Sequence, residues 1–216
     1  MVRQIFSLLS KDVRAEWRSK QSINGIILYL FSTILVLYYS LVKVEKFLWT
    51  GVFWILLIFL SVNSLSGSFN KDKNRHWYYY TLAHPLAIYF SKLLYNVLML
   101  SVMTMLSLFL LSTFFNIPIQ DWWIFFITLV ISILGISAIF TFISLLTSKA
   151  NDQGTLMAIL ATPLIFPILM SGSRLSMISI GILQDSGFIK DITSIFAIDI
   201  LAISLSIILF PILWRD

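Results

Sequence analysis

Six apolar stretches, each about as long as a bilayer is thick, limit what this chain can become. They are Ile23–Val42, Phe47–Phe69, Leu93–Phe115, Trp122–Ser148, Gly154–Ser173 and about Ile192–Trp214. Crossing the hydrocarbon layer takes roughly 20 mostly apolar residues in a helix. In lipid the backbone must satisfy its own polar groups, which a helix does within one segment. The sequence therefore predicts an all-α membrane protein of six transmembrane helices, with 1–216 as a single domain. The residues left between the stretches are too few for a separate water-soluble domain. The first stretch does not read as a cleaved signal peptide: its apolar core is too long, and VKVEK follows with no small-residue cleavage site.

Composition agrees. Hydrophobic residues make up 59% of the chain and charged residues 12%, the latter about half the usual soluble share. With no Cys, disulfides, thiolate nucleophiles and Cys-bound metals are excluded. A net charge of +5 would by itself admit a nucleic-acid partner, but the cations are sorted by side. Arg3, Lys11, Arg14, Arg18, Lys20, Lys71, Lys73, Arg75, Lys92, Lys149 and Arg215 fall on one side; Lys43, Lys46, Arg174 and Lys190 fall on the other. The positive-inside bias then places both termini and the loop Asn70–Lys92 in the cytoplasm, with no role for nucleic acid. Trp49, Trp122, Trp123 and Trp214 stand at the ends of stretches, where aromatic belts form.

Three segments stand out from the spans. Residues 1–20 are amphipathic, with Ile5, Leu9, Val13 and Trp17 recurring every four residues and Arg3, Lys11, Arg14 and Arg18 largely on other faces. This pattern predicts a helix lying in the membrane interface. Residues 70–92 are basic and aromatic. Arg75, His76, Trp77, Tyr78, Tyr79 and Tyr80 form a candidate contact surface for a cytoplasmic partner, since Trp, Tyr and Arg dominate such contacts. His84-Pro85 marks a break and a helix start. Residues 174–191 form the long outer connection, whose apolar LSMISIGILQD is too short to span and reads as interfacial or re-entrant.

Within the spans, Pro163 and Pro167 share one face of the fifth and are candidate kink residues. Gly135, Ser137, Thr141, Ser144 and Ser148 in the fourth permit close helix approach. Asp199 is the one acid inside a span, a candidate lining residue of an outward cavity or a residue of the outer interface. No phosphate-binding glycine loop, HExxH, GxSxG or paired intramembrane acid is present. The sequence thus offers no catalytic residue and no metal or cofactor site, and any energy source must come from a partner.

Together these features resemble a six-span ABC-2 permease. More closely, KDVRAEWRSKQSINGIILY, FNKDKNRHWYYYTLAHPLAIYFSKLLYN and LMAILATPLIFPILMSG are similar to the CcmB family, the haem exporter B proteins of cytochrome c maturation, in its Bacteroidetes-like branch. The likeness runs along almost the whole chain, with YYYTLAHP and PLIFP its most specific pieces. It implies an N-terminal elbow helix, a coupling helix within 70–92 and short outer helices within 174–191. It also implies a place in the bacterial inner membrane, a cytoplasmic ABC ATPase that binds ATP, a haem-handling membrane protein and a homodimer within the complex. Haem would be the transported species rather than a resident cofactor. Many members carry DxxxGxLExL in the coupling loop. Here Asp72 is followed by RHWYYYTL with neither Gly nor Glu, so aromatic packing stands where their carboxylate would. The alternatives are an ABC-2 permease exporting a lipid, polysaccharide or drug, an intramembrane enzyme for which only Asp199 qualifies, and a passive scaffold.

Overall fold

The computed structural model describes residues 2–18, 20–41, 45–65, 85–116, 118–147, 153–184 and 187–215. Its elements are helical throughout: α1 (Val2–Arg18), α2 (Lys20–Ser40), α3 (Lys46–Leu65), α4 (Pro85–Phe114), α5 (Trp122–Thr147), α6 (Gln153–Ser179) and α7 (Phe188–Arg215). Helices α3 to α7 each hold a stretch long and apolar enough to cross a membrane. In α2 the apolar run is shorter, Asn24–Ser40.

The bundle is built around α5. It packs on α3, α4, α6 and α7, while α1 and α2 lie against α4. Its small residues explain the position. Gly135, Ser137, Ala138, Thr141 and Ser144 are all buried, and short side chains let neighbouring backbones come close. In contrast, α7 turns Phe196, Ile200, Leu201, Leu205 and Ile208 outward. Exposed apolar side chains in such numbers suit lipid, not water.

Many hydroxyls inside the bundle are satisfied within their own helices, though Ser132 and Ser137 Oγ find no partner among the described residues. Thr104 donates to the Leu100 carbonyl at 2.7 Å, Thr128 to Ile124 at 2.7 Å and Ser206 to Ala202 at 2.6 Å. Where water is absent, this back-bonding removes the penalty of an unpaired hydroxyl.

Element boundaries differ from the sequence reading at both long connections. Pro85 is the first residue of α4, as a helix-starting Pro should be. Residues 85–92, assigned above to the cytoplasmic loop, are therefore the first two turns of α4. At the other end α6 does not stop at Ser173 but runs to Ser179. Leu175, Ser176 and Ser179 are buried in the bundle, so burial carries the helix past Arg174. The expected short outer helices are not seen among the described residues: Gly181 turns the chain with φ at 77°, and α7 starts at Phe188 as one continuous helix.

Candidate functional site

The proposed contact residues Arg75, His76, Trp77, Tyr78, Tyr79 and Tyr80 lie outside the described residues. The structure does describe what they lead into. The segment 66–84 feeds Pro85, and the next turns bury Ala87, Ile88, Tyr89, Ser91 and Lys92 almost completely. A helix seated this deeply at its first turns is held by packing from its very start.

Charge then joins packing. Lys92 Nζ stands 2.9 Å from Asp12 Oδ2 of α1, with the two side chains 7% and 10% exposed. Lys11 Nζ lies 3.0 Å from the other oxygen of Asp12. One turn further along α4, Tyr95 OH donates to Glu16 Oε2 at 2.9 Å. Asp12 and Glu16 are thus a pair of acids on α1, each answered by a donor on α4. Neither was singled out in the sequence reading, and Lys92 was counted there only as a topology-setting charge. The signal was present, however. At about 3.6 residues per turn, Asp12 and Glu16 fall among Ile5, Leu9 and Val13, on the face opposite Arg14 and Arg18. Acids on the apolar side of an amphipathic helix need buried partners.

The polar stripe continues inward. Asn96 Nδ2 donates to Thr141 Oγ1 of α5 at 2.8 Å, and Thr141 donates in turn to the Ser137 carbonyl at 2.6 Å. Lys92, Tyr95 and Asn96 therefore link α1 to α5 through little more than one turn of α4.

Pro163 and Pro167 both lie within α6. Each lacks an N–H, so the Ile159 and Pro163 carbonyls lose their helical donors. Beside them an apolar recess of about 310 Å³ opens between α3, α5 and α6, lined by Ile58, Val62, Phe140, Ala161, Ile165 and Leu169 among others.

Just past the prolines, α5, α6 and α7 converge on Gly135. A Cβ there would run into Asp199 and would stand 2.8 Å from Ile168. Asp199 is 5% exposed, and its Oδ1 has no hydrogen-bond partner among the described residues. The structure sets it in the seam between α5 and α7. Among the tryptophans, Trp122 and Trp123 are exposed at the start of α5, as a belt requires, but Trp49 is 2% exposed. It stacks on Phe53 at 5.7 Å and tilts against Phe125 at 6.2 Å, so core packing overrides the belt there.

At the end of the bundle away from α1, the Ser179 carbonyl accepts from the amides of Gln120 and Asp121 at 3.0 and 2.9 Å. Lys46 Nζ donates to the Ile180 carbonyl at 3.3 Å. Arg174 Nε lies 3.6 Å from Asp191 Oδ2.

Comparison with protein families places this architecture. Residues 3–212 match the family described as CcmB protein. The chain belongs to the CcmB family. No curated protein and no solved structure matches it. The CcmB family implies a permease role in haem export for cytochrome c biogenesis, within an ABC system that has an ATPase. The apolar helices and the CcmB match agree on a multi-pass membrane protein.

Proposed function

We propose that this chain is the six-span permease subunit of an ABC complex in the bacterial inner membrane, with both termini and the segment 70–92 on the cytoplasmic side. It acts in the export or delivery of haem for attachment to c-type cytochromes. A cytoplasmic ATPase binds ATP and grips Arg75, His76, Trp77, Tyr78, Tyr79 and Tyr80. A haem-handling membrane protein and a second copy of this chain complete the assembly.

The observation that carries this reading is the family match over residues 3–212. The buried base of α4 supports the mechanical part. A push delivered at 70–84 enters a helix that has no slack, because Ala87, Tyr89, Ser91 and Lys92 are packed from its first turn. Force then reaches α5 and the three-helix junction at Gly135. The recess beside Pro163 and Pro167 lets α6 change its bend as the neighbouring helices repack. Catalysis belongs to the ATPase in this scheme, and the chain itself is non-catalytic.

The test is capture of the partner. Trp77→Ala with Tyr80→Ala should release the ATPase in a detergent pull-down while the protein still inserts. Undiminished recovery of the ATPase would remove the loop from the contact.

A further inference from the structure

α1 does more than rest against the bundle. A helix that merely lies on lipid needs an apolar face and a cationic one, and α1 has both without Asp12 or Glu16. Yet these two acids are 9% and 6% exposed, and each meets a donor on α4 at 2.9 Å. Apolar residues in their place would hold two helices together about as well. What buried polar partners add is register. Only one placement of α1 along α4 lets Asp12 reach Lys92 and Glu16 reach Tyr95 together, because the acids are four residues apart and the donors three.

The location of these contacts gives register a use. Lys92 and Tyr95 occupy the turns of α4 that follow the 66–84 segment, and Asn96 beside them reaches Thr141 of α5. We infer that Asp12, Glu16, Lys92 and Tyr95 are positioning residues that make α1 and the base of α4 one rigid unit. Displacement of the cytoplasmic segment then carries α1 along and reaches α5 through Asn96. The rigid unit stands on the contacts alone; the transmission step rests on the coupling role proposed above.

The absence of Cys makes a clean test possible. Spin labels are placed at Arg14→Cys and Leu94→Cys, both exposed positions, in the assembled complex held in lipid nanodiscs. The expected result is one narrow distance distribution, the same with and without ATP. It should broaden in Lys92→Ala. Tyr95→Phe keeps the ring and removes a single oxygen, so it reports even where Lys92→Ala fails to insert. In Tyr95→Phe, ATPase capture should persist while cytochrome c maturation falls about ten-fold, the effect of losing one hydrogen bond to a charged group. Adding Glu16→Gln should cost little more, since the two act as one contact.

A distribution that stays narrow in Lys92→Ala and in Tyr95→Phe overturns the rigid unit. Broadening with maturation unchanged reduces the contacts to packing and overturns the transmission role. Should Trp77→Ala with Tyr80→Ala fail to release the ATPase, the reading of 70–84 falls, while the spin-label distances still judge the unit itself.

Discussion

The two ends of the bundle are fastened by different physics. At the α1 end, Lys92 and Asp12 form an ion pair with side chains 7% and 10% exposed, and Glu16 and Tyr95 share a buried hydrogen bond. At the opposite end the lasting contacts are backbone ones, with Ser179 accepting two amides. The ion pair there joins Asp191 to an Arg174 whose side chain is 56% exposed. Water reaches the Arg174 side of the second pair, whose Asp191 is itself only 7% exposed, and neither member of the first. Removing Lys92 leaves Asp12 with only the part-exposed Lys11, whereas water already around Arg174 can take its place beside Asp191 at smaller loss. The α1 end therefore holds or fails as a unit, and the opposite end tolerates change.

The sharpest way to break this contrast is Lys92→Ala. It should lower stability by up to about 3–5 kcal/mol, the usual result of breaking a buried pair, less what Lys11 recovers from 3.0 Å away on the other Asp12 oxygen. Unfolding in mixed micelles by a denaturing detergent measures it. Asp12→Leu with Lys92→Met should recover most of the loss, because an apolar pair of similar size replaces the ion pair. A double variant as weak as the single one would mean the site depends on charge for its fold and not for its register.

Gly135→Ala comes next. The new methyl would meet Asp199 and Ile168 at once, and overpacking of this kind destabilises by about 1–3 kcal/mol. Asp199→Ala in the same chain should relieve part of it, and the cycle isolates the contact. Full tolerance of Gly135→Ala would show that the three helices do not close on that point.

How much of this was legible beforehand depends on what kind of signal each residue sends. The five spans α3 to α7 follow from apolar run lengths, whereas α2 carries a shorter apolar run than expected, and Pro85 announces its helix start through its fixed φ. Direction within a span is another matter. In α5 nearly every residue is apolar or small, so no face declares itself, and Trp49 and Trp122 look alike in sequence while one is buried and the other exposed. Arg174 reads as the end of a span, yet its side chain reaches out while Leu175 and Ser176 stay buried behind it. A long cationic stem can do this without ending the helix. Asp12 and Glu16 were readable, since their phase on α1 matches Leu9 and Val13. Their donors were not, because pairing α1 with α4 is a tertiary choice across the 66–84 segment. The contact residues proposed there, Arg75 to Tyr80, rest on composition and on the family alone.

A smaller effect is expected at Trp54. Its Nε1 donates to Ser176 Oγ at 3.1 Å, and Ser176 donates onward to the Gly172 carbonyl at 2.9 Å. Trp54→Phe removes the donor while Ser176 keeps its own outlet, so no hydroxyl proton is left stranded. The loss should be about 1 kcal/mol, the net worth of one hydrogen bond, plus whatever the smaller ring gives up against Gly172. The same detergent unfolding resolves it. A loss as large as that of Lys92→Ala would erase the distinction between charged and neutral buried contacts.

The least effect belongs to Arg174→Ala, and it bears most directly on the two ends. Arg174 Nε sits 3.6 Å from Asp191 Oδ2, a separation that gives attraction without a well-made hydrogen bond. More than half of the guanidinium side chain is in contact with solvent, so added salt competes for it. The expected change is about 1 kcal/mol, the upper end for an exposed pair because Asp191 itself is 7% exposed, and it should shrink as ionic strength rises. Lys92→Ala should show a weaker salt dependence, because Asp12 is shielded by α1 and α4 and only Lys11 beside it is part-exposed. Measuring both variants across one salt series puts the two ends on a single scale. Parallel slopes would mean that ions reach the α1 end as freely as the other, and the buried pair would then lose its claim to set the register of α1.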